Sequence, residues 1–359
     1  MPPPTTTSSR PDAVADGPVA PGRVRGPLAV VGAAAALVVT IVVAVSVGRY
    51  SVPVSHVVQI LASGLLPEVG VGETERTVVE LVRLPRVVLA VLVGGGLAVA
   101  GAALQATFRN PLVSPDIIGV SSGASLGGAI ALLLGLGTVF LVGGAFVFGL
   151  VALGLLFLLT LGRTTTSMLM VVLGGVVLGS FFAALVGLVQ YFADPYSSLP
   201  AIVFWLLGSL ATATWAKVGV AVVPILLGTV VVLLLRWRIN VLSLGDDEAS
   251  SLGLRPGRLR WVILVSCALI VAGAVAVSGV IGWVGLVIPH LARMWVGPDH
   301  RVLLPVSFLL GATYLIVIDT IARTLTAGEI PLGVLTALVG APVFFLLLRR
   351  NRDRIWDRA

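Results

Sequence analysis

Residues 83–125 read RLPRVVLAVLVGGGLAVAGAALQATFRNPLVSPDIIGVSSGAS. An apolar run dense in Gly and Ala is bounded by Arg83 and Arg86 at one end and by Arg109-Asn110-Pro111 at the other. A second apolar run follows at once. This is the pattern of two membrane helices joined by a short polar hinge, with small side chains that let backbones approach closely. Gly94, Gly95, Gly96 and Gly101 lie within the first run. No strand precedes them, so they predict close helix packing and not a phosphate-binding loop.

The rest of the chain fits that reading. Of 359 residues, 58% are hydrophobic and only 11% charged, and the mean hydropathy is +1.10. A soluble domain does not need so much apolar surface, and strand-type alternation is absent. The expected fold class is therefore an all-α polytopic membrane protein. Apolar runs near 27–47, 85–107, 114–136, 138–161, 168–192, 216–236, 259–280, 284–294, 302–322 and 332–349 predict about ten transmembrane helices. The run 284–294 is too short to cross alone at about 1.5 Å per residue, so it is expected to be a half-helix supported by protein neighbours. Residues 199–213 read as a short interfacial or re-entrant helix. The expected organisation is a disordered cytoplasmic tail over 1–26, a membrane domain over 27–350 and a short cytoplasmic tail over 351–359.

Basic residues orient the chain. With the N-terminus inside and ten crossings, seventeen of the 23 Lys and Arg residues fall on the cytoplasmic side. Only Arg49, Arg76, Arg83, Arg86, Lys217 and Arg323 fall outside. The bias predicts both termini in the cytoplasm.

Several chemistries are excluded or left without support. Lys217 is the sole lysine and sits in WAKV, so the chain has no Walker A loop; any ATP hydrolysis belongs to another polypeptide. A single cysteine, Cys267, allows no disulfide within one chain. His56, His290 and His300 are too dispersed to predict a metal site. No nucleophile or acid–base constellation predicts catalysis. Asp319 within a span is expensive unless paired. Arg323 four residues on is its expected partner, with a proton or ion relay as the alternative.

The inner loop 237–258, WRINVLSLGDDEASSLGLRPGR, predicts a helix over Ser243–Leu254. Its acids Asp246, Asp247 and Glu248 lie near the N-terminal end, where the helix dipole favours them.

Taken together, these residues resemble the permease subunits of ABC importers for iron–siderophores, haem and vitamin B12. The resemblance rests on RLPR at 83–86, GAALQ at 101–105, NPL at 110–112 and PDIIGVSSGA at 115–124. It continues through GVIGWVGLVIPH at 279–290, GPDHR at 297–301 and EIPLGVLTALVGAP at 329–342. It implies a type II importer fold. The subunits would form a homodimer, or a heterodimer with a paralogous permease, with the pathway at the dimer interface. Two cytoplasmic ATPase subunits, which hold ATP and magnesium, and an extracytoplasmic binding protein complete the assembly. This chain itself would bind no cofactor, contact lipid and have no nucleic-acid partner. The expected cargo is a ferric siderophore, with vitamin B12 and haem as alternatives. An ion-gradient-driven secondary transporter and a membrane scaffold are the readings from other classes.

The resemblance also implies roles. Gly245, Asp246, Asp247, Glu248, Ala249, Ser250 and Gly253 match the ATPase-coupling motif; the plainer reading is a solvated, capped loop. Arg83, Arg86 and Arg323 match arginines that pair with glutamates of the binding protein; the alternative is anchoring at the membrane edge. Asn110 and Leu112 match one cytoplasmic gate and Thr165, Thr166 and Ser167 a second, although the same residue types also cap helices.

Overall fold

A computed structural model describes residues 26–62, 70–160 and 168–350. Of the expected tail over 1–26 only Gly26, the first residue of a helix, is described; the rest of it, the tail over 351–359 and the second gate at Thr165, Thr166 and Ser167 lie outside the described residues.

Among the described residues there are helices and no strands. Helix α1 (Gly26–Ser46) leads to a short surface pair, α2 (Val54–Leu61) and α3 (Glu73–Thr77). A wide π turn over Val78–Arg83 then runs without interruption into α4 (Leu84–Thr107). Leu84 N–H reaches the Val79 carbonyl, five residues back, next to Pro85, which has no N–H to give. A 3-10 turn (Pro115–Ile118) follows, then α5 (Val120–Leu133), α6 (Thr138–Thr160), α7 (Met168–Phe192) and the short α8 (Ser198–Leu206). The second half contains α9 (Trp215–Leu234), α10 (Arg236–Leu244), α11 (Asp246–Ser251), α12 (Pro256–Ser278), α13 (Val284–Val296), α14 (His300–Thr324) and α15 (Leu332–Arg350).

Among the described residues, seven helices are long and apolar enough to cross a membrane, and three shorter apolar helices accompany them: α5, α13 and the apolar part of α15. These ten match the ten apolar runs in position. The run 284–294 is a half-helix as expected. The run 114–136 is a second one, because Pro115 and Gly119 (φ +76°) hold its first residues in a tight turn. The single helix expected over Ser243–Leu254 is instead two, α10 and α11. Gly245, at φ +155° and ψ +169°, breaks it.

The core sits on α4 and α12. Every residue from Leu92 to Thr107 is buried. In α1, α6 and α7 most of the apolar surface faces outward, as lipid-facing helices must. Small residues make the central contacts: a Cβ on Gly94 would stand 2.7 Å from Leu315 Cβ of α14, and one on Gly101 the same distance from Gly285 Cα of α13.

Candidate functional site

Two polar constellations lie at opposite ends of the bundle. The first joins the end of α1, the start of α4 and the end of α14. Arg86 is 7% exposed and forks between two carboxylates. Its Nε donates to Asp319 Oδ1 at 2.9 Å and Oδ2 at 2.8 Å. Its Nη1 and Nη2 donate to Glu329 Oε1 at 2.8 Å and Oε2 at 2.9 Å. Planar guanidinium geometry allows this double bidentate grip, which an ammonium cannot match. Asp319 is therefore held chiefly by Arg86 of another helix. The expected partner Arg323 stands farther off, at 3.8 Å.

The two remaining arginines also turn inward. Arg83 donates to the carbonyls of Val45, Ser46 and Tyr50, the Ser46 bond measuring 3.0 Å. Arg323 donates to the Ala44 carbonyl. Both satisfy carbonyls in the last turn of α1 or just past it, which have no intrahelical partner, and place positive charge where the helix dipole favours it.

The second constellation contains the α10–α11 hairpin. Gly245 is its corner. A side chain there would stand 3.0 Å from Glu248 Cδ, and the backbone angles suit glycine alone. Arg260 of α12 grips both Asp246 oxygens, with Nη1–Oδ2 at 2.8 Å. That hydrogen bond holds the Asp246 carboxyl below its ordinary range. A depressed carboxylate contributes stability that is complete above its unfolded pKa and lost as pH falls through the folded one. Proteolytic protection of the hairpin is accordingly expected to fade on acidification below the normal carboxylate range. It should show no such pH dependence in Asp246→Asn.

Ala249 is fully buried, while Leu244 and Leu252 are exposed beside exposed Asp247, Glu248 and Ser250. Gly253 ends the hairpin at φ +78°. The hairpin thus presents an apolar and acidic rim on a corner fixed from behind. Asn240 of α10 provides a tie that the sequence did not suggest. Its Nδ2 donates to Asp299 Oδ1 at 2.6 Å, and its Oδ1 accepts from the His300 backbone N–H at 2.8 Å. Asp299 is the cap of α14, accepting from Arg301 N–H at 2.9 Å. The hairpin is therefore clamped to the start of a membrane helix.

Beside it lies the α4–α5 hinge. Asn110 Oδ1 accepts from Leu112 N–H at 2.9 Å, closing a turn, and Leu112 is 54% exposed. Gln105 links this hinge to α13: its Nε2 lies 3.3 Å from the Leu286 carbonyl and 3.4 Å from that of Val113, and its Oε1 accepts from Arg293 at 3.1 Å. Gln105 falls within the GAALQ stretch, but only the fold shows what it holds. Among the described residues no group of His, Cys, Asp or Glu is arranged to hold a metal ion.

Residues 36–350 match the model of the FecCD transport family. The chain belongs to that family. Its relatives include the molybdate import system permease protein of Haemophilus influenzae, 46% identical over 87% of this chain and 92% of the relative. The probable iron chelatin transport system permease protein of Helicobacter pylori is 45% identical over 76% of this chain and 82% of the relative. The cobalamin import system permease protein of Halobacterium salinarum is 38% identical over 86% of each. A solved structure described as an inward-facing conformation of a transporter assigned to the metal-chelate ABC type superposes with a TM-score of 0.82 at 44% identity, covering 90% of this chain and 99% of that one. The chain is thus an ABC transporter permease, a multi-pass membrane protein and a transport subunit.

Proposed function

We propose that this chain is the pathway-forming subunit of an ATP-driven importer, paired with a second permease across a dimer interface. Two ATPase subunits would dock on the α10–α11 hairpin and a binding protein on the Arg86 end. The distribution of basic residues supports a cytoplasmic hairpin, an outer Arg86 end and both termini inside. The observation that carries the proposal is the hairpin itself: an exposed rim of Leu244, Glu248 and Leu252 on a corner that Arg260 and Asn240 fix to α12 and α14.

Helix α14 has 25 residues, about 37 Å at the α-helical rise. It starts beside the Asn240 clamp and ends beside the Arg86 fork. A push on the hairpin therefore has a rigid element to act through, and packed helices shift between discrete arrangements rather than bending continuously. In this reading Asn110 and Leu112 form a cytoplasmic gate at the hinge, with residues 165–167 its second part. For docking, Arg83 and Arg323 would exchange carbonyls at the end of α1 for carboxylates of the binding protein.

The cargo is proposed to be a metal chelate, with a ferric siderophore as first expectation and haem and vitamin B12 beside it. The 46% identity to a molybdate permease supports molybdate as a second reading. Uptake into vesicles with the cognate binding protein, using labelled iron–siderophore and labelled molybdate in parallel, separates the two.

Purification of the tagged chain in mild detergent, with mass spectrometry of co-purifying chains, tests the assembly. A near-stoichiometric chain with a Walker A loop is expected. Recovery of this chain alone, under conditions that hold other ABC complexes together, would count against ATP coupling. Within the assembly, Glu248→Arg is expected to lower ATP-driven uptake about tenfold or more, the effect of some 1.4 kcal/mol at a switching interface, with binding-protein docking unchanged. Undiminished uptake would remove the hairpin from the coupling path.

A further inference from the structure

The α4–α5 hinge meets the break between α12 and α13 at a small cavity, with room for roughly one water-sized body. Asp116, Ser121, Pro115, Gly282, Trp283 and Gly285 contribute to its walls. Both chain segments are irregular here: Gly119, Gly279 and Trp283 have φ of +76°, +67° and +70°. Irregular backbone at membrane depth is tolerated where it lines a cavity. The half-helix α5 has 14 residues, about 21 Å at the helical rise, against roughly 30 Å of hydrocarbon. Leu97, midway along α4, also lines the cavity, so the cavity itself lies inside the apolar layer.

Asp116 is the chemical oddity of this place. Its Oδ1 accepts from Ser121 Oγ at 2.7 Å, and Ser114 Oγ lies 3.4 Å from Oδ2. No arginine, lysine or histidine pairs with it among the described residues. Asp246, Asp319 and Glu329, by contrast, each hold an arginine. An ionisable group at membrane depth without a countercharge marks a site. The last turn of α12 supplies a second negative element, since Ala274, Val275 and Gly279 at its carboxyl end also line the cavity and helix carboxyl ends carry partial negative charge.

From this we propose that the cavity binds a small monovalent cation of sodium size, with Asp116 as its charged ligand and the Ser121 hydroxyl and backbone carbonyls of the α12–α13 break completing an oxygen-only shell. Hard cations take such ligands, and unwound backbone with helix carboxyl ends is how membrane transporters hold sodium. Asp116 is exposed on its open side, which provides an entry. Pro115 packs on Gly285, where a Cβ would stand 2.5 Å from its ring, so an ion here would bridge the hinge to the first turn of α13. The rival role for Asp116 is that of a carboxylate stabilising the N-terminus of α5.

The full-length chain in lipid nanodiscs tests this without any ATPase or cargo, so the result does not depend on the importer reading. Thermal unfolding is followed by tryptophan fluorescence in sodium chloride against choline chloride at equal ionic strength. A sodium-dependent rise of several degrees is expected in the wild type. The rise should vanish in Asp116→Asn, and the half-saturating sodium concentration should increase roughly tenfold in Ser121→Ala, the loss of one hydrogen-bonding ligand to a charge. Equal melting of the wild type in the two salts overturns the proposal. So does an Asp116→Asn protein that melts lower in both salts yet keeps the sodium increment, which leaves only the helix-capping role. Should Asp116→Asn fail to fold, an unchanged sodium midpoint in Ser121→Ala is equally decisive against it.

Discussion

Arg86→Ala is expected to cost about 3–5 kcal/mol of stability, the range for removing one partner from a buried ion pair. The reason is what remains behind. The Asp319 side chain is 5% exposed and that of Glu329 27%, and both would lose a bidentate partner. Arg323, at 3.8 Å from Asp319, is already committed to the Ala44 carbonyl and compensates little. Arg86→Lys should recover only part of the loss, because one ammonium cannot donate in parallel to two carboxylates. Glu329→Gln should be milder, since Glu329 is the more exposed acid. The triple change Arg86→Leu, Asp319→Leu, Glu329→Gln should regain much of the stability by removing the charges together. Denaturant titration of the purified chain in detergent reads all four. A loss below about 1 kcal/mol in Arg86→Ala would show that the fork is not holding buried charge.

The fork also shows where sequence reading stops. Asp319 and Arg323 are four residues apart on one helix, so local spacing made them a pair. The geometry favours Arg86, 233 residues away, a pairing that appears only once α4 and α14 pack through Gly94 and Gly311. The helical runs were legible because a membrane demands long apolar stretches, and α13 was legible because it fell short of that demand. The hairpin was half legible. Its acids sit at a helix start as dipole reasoning predicts, but a glycine inside a polar run does not announce whether it bends or breaks the chain. Gly245 breaks it, and Glu248 fills the space a side chain would need. The Asn240 clamp and the Gln105 bridge left no local signal, because an amide's partner is defined only by what folds against it. The expected cargoes, a ferric siderophore with vitamin B12 and haem as alternatives, include the cobalamin for which one relative is named but not the molybdate for which another is. Cargo leaves little trace in a permease whose described surfaces are mostly apolar.

Gly101→Leu is expected to prevent α13 from seating, and to leave the chain aggregated or detergent-trapped in a non-native form. A Cβ on Gly101 would lie 2.6 Å from the Gly285 carbonyl carbon and 2.7 Å from its Cα. Both are backbone atoms, which cannot rotate away as a flexible side chain can. The half-helix cannot retreat either, because Gly285 is wedged against Pro115 and the Leu97 carbonyl on its other side. Even Gly101→Ala should therefore destabilise, by about 1–3 kcal/mol as overpacking in a close-packed interior does. Gly143 in α6 is the control. Nothing stands within 4 Å of a Cβ placed there, so Gly143→Ala should be neutral or stabilising by up to about 1 kcal/mol through helix propensity alone. The contrast isolates helix approach from the intrinsic cost of glycine, which would have both substitutions raise the melting temperature. A Gly101→Ala protein as stable as the wild type would mean that α4 and α13 are not in backbone contact. The hinge, the half-helix and the cavity between them would then need a different arrangement.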